Sequence, residues 1–254
     1  MEERSIHAFN DLRARMRIDL RKHLLVTAML FPCLASGAHG PELDAILTDL
    51  ARDKSPEASA RIVSAIDASP PLTRRIDALA HDGALKRIVV VDRPVNGVFG
   101  AAANAETWTF TSSFLTALDK RRYFDVVRAD DVLPDQTVFV LAHLAYHLVH
   151  PALQAKGTTP QAFVAARLRD EAGAFVDSWN ATVGEAILRN GHALSNGQIA
   201  TLLLNCRYRF ALLGSKTNGI AAPHLEDDGR ITASSANLDQ VAATLERSPI
   251  VDLQ

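Results

Sequence analysis

The sequence of 254 residues is poor in cysteine and in aromatic residues, with 2 Cys and 6% Phe, Trp and Tyr. Two cysteines cannot supply the dense disulfide framework of small secreted domains, so folding must rest on a hydrophobic core. There is no basic excess either, because 27 Lys and Arg oppose 29 Asp and Glu. Nucleic-acid binding depends on neutralising phosphates, so this charge balance argues against a nucleic-acid partner.

The sequence also lacks the short motifs of several large enzyme classes. It contains no P-loop, no GxGxxG and no GxSxG. These patterns mark phosphate-binding loops, dinucleotide-binding folds and serine hydrolases, so none of these classes is indicated. What remains is an ordinary globular composition, 48% hydrophobic and 22% charged, in a chain long enough for a sizeable core.

The N-terminal region has the order of an export signal. Residues 16–38 run from a basic stretch (MRIDLRKH) through an apolar run (LLVTAMLFPCL) to small residues (ASGA). We predict a signal peptide over residues 1–38, cleaved after Gly37 or Ala38, with Met16 as an alternative start. The apolar run is too short for a permanent span, so the mature protein is expected to be periplasmic or secreted, without a membrane span.

Two alternatives concern the same segment. Cys33 could carry a lipid anchor, but Pro32 stands before it where such sites need a small residue, so simple secretion is favoured. Residues 24–34 could instead form an ordinary buried helix. In the mature chain Cys206 lies between apolar residues and is expected to be a packed thiol.

The remaining sequence predicts an α+β protein that is mainly α-helical, with a small β-sheet packed on helices. Apolar spacing and Ser-Pro signals predict three short helices over residues 41–85, and β-branched and aromatic runs predict strands near 88–92 and 108–114. Helices follow over 137–151 and 160–191, and capping boxes at Ser195 and Asn237 predict two more. We divide the chain into a helical segment, 39–86, and a domain with C-terminal helices, 87–254.

The segment over residues 137–151 is apolar at nearly every position except three histidines. His143, His147 and His150 are spaced i, i+4 and i+7, so they share one face of the predicted helix. Two histidines four residues apart can reach one zinc ion. His150 is a poor third ligand, because seven residues advance a helix by about 10.5 Å.

The helix over residues 160–191 offers a better third ligand. Its predicted core stripe includes Val164, Leu168, Ala172, Phe175 and Trp179. On the same helical projection Glu171 faces inward with this stripe, whereas Asp170 and Asp177 point away. A carboxylate facing a core needs a partner, so we predict Glu171 as the third ligand.

The order of these segments resembles a known family. NAETWTFTSSFL, then LAHLAYHL, then DEAGAF is similar to the catalytic core of the gluzincins, the thermolysin-like zincin metallopeptidases, over about residues 98–180. Their motif is HExxH, with a glutamate from a downstream helix as third ligand. The resemblance implies a zincin-like core, a Zn²⁺ site at His143, His147 and Glu171, and hydrolysis of a peptide or amide.

One position departs from the family pattern. Leu144 stands where HExxH has the glutamate that takes a proton from zinc-bound water, and leucine cannot move a proton. His150, Tyr146 or Asp170 could be proposed as the base, but none of them occupies the motif position. Hydrolysis by the usual zincin route is therefore not expected.

Two arginines flank Tyr208 in a later segment, CRYRFALL. Arg207 or Arg209 could bind a substrate carboxylate or pair with Glu171. A solvated or structural ion pair is the simpler interpretation of both.

These observations favour an exported metallopeptidase-like protein with a zinc site, acting on a peptide or protein of the cell envelope. The alternative is a non-catalytic periplasmic binding or scaffold protein, a pseudopeptidase in which Glu171 accepts hydrogen bonds from His143 or His147 without metal. A third interpretation is a metal-carrying protein without hydrolysis. The sequence leaves the oligomeric state open.

Overall fold

Helices dominate the part of the chain that can be described. A computed structural model of the protein describes residues 39–52, 55–93, 101–104, 106–118, 131–150 and 159–247, and these described residues belong to one compact unit. The predicted signal peptide, with Met16 and Cys33, lies outside the described residues. Within these ranges, no helix combines the length and the apolar character needed to cross a bilayer.

The described elements confirm the prediction of a mainly helical α+β protein with a small sheet. In chain order they are α1 (Pro41–Ala51), α2 (Pro56–Asp67), α3 (Pro70–His81), β1 (Arg87–Val91), β2 (Ala101–Asn104), β3 (Thr107–Thr111), α4 (Ser112–Leu118), α5 (Gln136–Val149), α6 (Pro160–Asn190), α7 (Asn196–Asn205) and α8 (Ser235–Glu246), with 3₁₀ turns at Arg209–Ala211 and Lys216–Asn218.

The first three helices each begin with proline, which suits the first turn because its missing N–H has no helical partner there. Ser55 and Ser69 precede α2 and α3 as predicted, but neither side chain caps its helix. The Ser55 hydroxyl instead donates to Asp92 Oδ1 at 3.1 Å, which ties the start of α2 to the end of β1.

The sheet has three strands in the order β1-β3-β2, with β1 parallel and β2 antiparallel to β3. In the register, Ile88 lies opposite Trp108 and Val90 opposite Phe110, and all four side chains are buried. Aromatic and β-branched pairs of this kind stabilise one face of a sheet. The sequence missed β2, because its alanines have little intrinsic preference for strands and pairing with β3 decides its structure.

Helix α5 lies between two hydrophobic clusters. The cluster formed with α1–α4 and the sheet takes most of its apolar side chains: Val138, Val140, Leu141, Ala142, Leu144 and Ala145. Phe139 belongs to the second cluster, with α6, α7 and α8, and its ring stacks on Tyr208 at a centroid distance of 4.7 Å. Burial on both sides explains why α5 is apolar at nearly every position.

Two helix ends in the C-terminal half agree with the sequence signals, and one helix start differs. Gly191 ends α6 in the left-handed conformation with φ 76°, and Ser195 forms the predicted capping box with Gln198. The predicted cap at Asn237 is wrong. Ser234 caps α8 by accepting a hydrogen bond from the Asn237 N–H, so Asn237 lies within the first turn.

Gly173 allows α5 and α6 to approach closely. A Cβ atom at this position would lie 2.8 Å from Tyr146 Cζ and closer still to the Tyr146 hydroxyl. Both distances are shorter than van der Waals contact, so any larger residue displaces Tyr146 or separates the helices.

We predict that Gly173→Ala lowers the free energy of unfolding by about 1–3 kcal/mol, because the added methyl overpacks the α5–α6 contact. Urea denaturation measures the change, and a double-mutant cycle with Tyr146→Ala should show coupling between the two positions. Gly184→Ala on the same helix is the control. There a Cβ meets only Arg230 Nη2, at 3.7 Å, and a neutral or stabilising effect is expected. Equal effects of the two alanines would contradict the overpacking argument.

Candidate metal centre

The two histidines of the predicted motif lie on α5, on the face toward α6. Asp135 caps this helix, since its Oδ1 accepts hydrogen bonds from the N–H groups of Thr137 and Val138 at 2.8 and 3.2 Å. Because α5 is helical through both positions, the imidazoles of His143 and His147 lie one turn apart on one face. Their ring centroids are 4.9 Å apart.

Glu171 of α6 completes a group of three converging atoms. His143 Nε2 and His147 Nε2 are 3.3 Å apart, and Glu171 Oε2 lies 3.4 Å from each of them. Three ligands of a tetrahedral zinc ion, bound at 2.0–2.2 Å, are separated by about 3.3–3.5 Å. The side lengths of this triangle therefore match one face of a zinc coordination sphere, and the three side chains could hold a metal ion.

Burial of the site is substantial but incomplete. The side chains of His143, His147 and Glu171 are 16%, 23% and 12% exposed. A metal ion bound by these three groups would therefore keep one side toward solvent, as a three-ligand site with an open position requires.

The electrostatics of Glu171 favour its charged form. Burial raises the pKa of this carboxyl group, but its contacts with His143 and His147 lower it more, to about 2. Oε2 is buried, and no hydrogen bond reaches it within the described part of the chain. A buried, charged oxygen is costly, so either the two imidazole nitrogens at 3.4 Å or a cation between the three groups must balance it. Arg167 lies at the edge, with Nη2 3.9 Å from Glu171 Oε1.

Asp170 was predicted to face away from the core, and this is wrong. Its side chain is 12% exposed, and its Oδ2 atom lies 3.4 Å from His147 Nδ1. Residues 172–176 of α6 are all buried, so the helix is enclosed around its middle and has no outer face there. A helical projection that divides residues into a core face and a solvent face gives the wrong environment for residues in such a segment. The same projection placed Val164 in the core, although it is exposed.

Asp177 is the other carboxylate that was predicted to face outward, and its side chain is 26% exposed. It forms a bidentate ion pair with Arg75 of α3, in which Arg75 Nη2 lies 3.0 Å from Asp177 Oδ1. This pair ties α6 to the N-terminal helices. It makes no described contact with the histidines.

Leu144, at the position of the zincin base, is buried in the first hydrophobic cluster. Its side chain belongs to the cluster that α5 forms with α1–α4 and the sheet. The structure therefore has an apolar contact where the family places a proton acceptor.

The other base candidates take different positions. His150 does not continue the α5 face, because the helix ends at Val149 and His150, which precedes Pro151, has φ −108° and ψ 97°. It is exposed, and its ring stacks on Tyr146 at 4.0 Å. The pKa of Tyr146 is raised by burial and by the charges of Asp170, Asp177 and Glu171, which keeps its hydroxyl protonated.

Arg207 and Arg209 lie beyond the end of α7, which stops at Asn205. The Arg207 guanidinium lies 5.7 Å from the centre of the Phe114 ring, and Arg209 Nη1 is 3.4 Å from the Cys206 carbonyl. Cys206 is a buried free thiol, as predicted, and burial raises its pKa to about 12.

The sequence missed Arg167 at the site and placed Asp170 on the wrong face of α6. The signal for Arg167 was present, since it lies one helical turn before Glu171. Comparison with known proteins adds nothing to this geometry, because no family model, no curated protein and no solved structure matches the chain.

We predict a pH-dependent stability contribution from Glu171. Its pKa is lowered from 4.5 to about 2 on folding, so the contribution is complete above about pH 4.5 and is lost as the pH falls towards 2. Urea denaturation of chelator-treated protein should show a gap between wild type and Glu171→Gln that closes over this range. Parallel pH profiles of the two proteins would contradict the expectation. The exposed Glu106→Gln is the control.

We also predict that Leu144→Glu restores no peptidase and lowers the free energy of unfolding by about 3–5 kcal/mol, because it buries a charge without a partner. Val149→Glu, at an exposed position near the end of the same helix, should change stability by no more than about 0.5 kcal/mol. Thermal or urea denaturation and a fluorogenic peptide assay measure both properties. A stable Leu144→Glu variant that cleaves peptide would show that position 144 opens toward the site.

Proposed function

We propose that this protein is an exported zinc-binding protein with a zincin-like core, in which His143, His147 and Glu171 hold the ion. The convergence of their three ligand atoms, 3.3–3.4 Å apart, carries the proposal. The succession of β3, α5 and α6 agrees with the segment order on which the family resemblance rests. Export is proposed from the sequence of residues 1–38 alone.

The donor set supports zinc as the ion. Two imidazole nitrogens and one carboxylate oxygen suit Zn²⁺, whereas Mg²⁺ and Ca²⁺ prefer shells made only of oxygen. The rigid spacing of these atoms on two packed helices favours tetrahedral binding. Zinc would supply a positive charge that polarises a bound water molecule or a carbonyl group.

The chain's own residues support binding more than turnover. Leu144 packs in a hydrophobic cluster, and Tyr146 holds its proton, so neither accepts a proton from water at the site. Any hydrolysis of a peptide or amide would lack the proton acceptor of the HExxH motif and would be slow. The proposed ligand is accordingly a peptide or protein of the cell envelope that is held at the site without rapid cleavage.

A metal-free cluster is the competing function of the same residues. The ion-pair distances between Glu171 and both histidines favour it, since the imidazoles alone can balance the carboxylate. The metal-free and metal-bound forms can be distinguished by metal content, because only the metal-bound form requires about one ion per chain.

The metal content of mature protein, purified from the periplasm without chelator, tests this proposal. Elemental mass spectrometry should find about one zinc per chain in the wild type, and the zinc should be lost in His147→Ala. His192→Ala, which removes an exposed histidine bonded to Asn190, is the control and should retain the metal. No bound metal in the wild type, together with no binding of added zinc, would reject the zinc site and leave the metal-free cluster.

A further inference from the structure

We propose that Asp170 is a positioning residue that accepts a hydrogen bond from the Nδ1–H group of His147, and so directs the Nε2 lone pair of that ring toward the metal. The inference rests on the proposed zinc site. It assigns a role to a carboxylate that is not one of the three ligands.

The two nitrogens of the His147 ring face different groups. Nε2 lies 3.3 Å from His143 Nε2 and 3.4 Å from Glu171 Oε2, within the triangle of ligand atoms. Nδ1, on the other side of the ring, lies 3.4 Å from Asp170 Oδ2. The imidazole therefore stands between the ligand group and a second carboxylate.

Burial of the Asp170 carboxylate costs free energy, and a hydrogen bond from an N–H donor would offset that cost. Its Oδ2 atom is buried, and no hydrogen bond reaches it from any described residue. An ionised oxygen removed from water without a donor is strongly unfavourable. His147 Nδ1, at 3.4 Å, is the ring nitrogen placed to be that donor.

The chemistry of imidazole explains the benefit at the site. A neutral ring carries one proton, and only its unprotonated nitrogen can bind a metal. A carboxylate at Nδ1 holds the proton there, which leaves the Nε2 lone pair free and fixes the orientation of the ring. Partners of this kind commonly strengthen metal binding about 10–100-fold.

The fold supplies a matched pair of carboxylates for the test. Asp170 and Asp177 lie on α6, but Asp177 is paired with Arg75 of α3 and does not contact His147. Zinc affinity is measured by competition with a chromophoric chelator, with folding checked by circular dichroism. Asp170→Asn should bind zinc about 10–100-fold more weakly than wild type, whereas Asp177→Asn should retain the wild-type affinity. Equal affinities for wild type and Asp170→Asn would overturn the inference.

A second measurement needs no metal. Proton–nitrogen NMR correlations of the histidine rings, recorded on chelator-treated wild type at about pH 8, identify which nitrogen of His147 carries the proton. The inference predicts Nδ1–H in wild type and Asp177→Asn, and an increased share of Nε2–H in Asp170→Asn. An Nε2–H ring in wild type would overturn it. An Nδ1–H ring in a protein that binds no zinc would support the Asp170 hydrogen bond and reject the proposed function.

Discussion

The contact between α5 and α6 is the constraint on which the rest of the structure depends. Helix α5 is enclosed by hydrophobic clusters on both sides, and the middle of α6 is buried all round, so polar groups at their contact are largely removed from water. Such groups must be paired with one another or with an ion. His143, His147, Asp170 and Glu171 meet this requirement by facing one another across the two helices.

This arrangement gives the site its precision. Ligands on packed helices are held more rigidly than ligands on loops, and Gly173 lets the helices come close enough for side chains of ordinary length to meet. The same burial limits the chemistry. Leu144 contributes to the hydrophobic cluster around α5. An apolar side chain beside His143 therefore stabilises the helix that carries both histidines and offers no proton acceptor at that position.

The sequence predicted most of this from local patterns. The i, i+4 spacing of His143 and His147 and the inward phase of Glu171 were sufficient to predict that these three side chains meet, because helical geometry alone brings such residues to one face. Asp170 could not be predicted in the same way, since its position depends on how deeply α6 is enclosed by its neighbours. The i, i+7 spacing placed His150 on the same helical face, but the helix ends at Val149 because the residue before a proline disfavours the helical conformation. Strand β2 depends on pairing with β3 and has no local signal of its own.

The most direct test of the central claim, that three atoms on two helices converge on one ion, is X-ray absorption spectroscopy at the zinc edge of zinc-loaded protein. The account predicts about four nitrogen or oxygen ligands at 2.0–2.2 Å, with the outer-shell scattering of two imidazole rings, reduced to one ring or lost in His147→Ala. A sulfur ligand at about 2.3 Å, or a shell of oxygens without imidazole scattering, would contradict it.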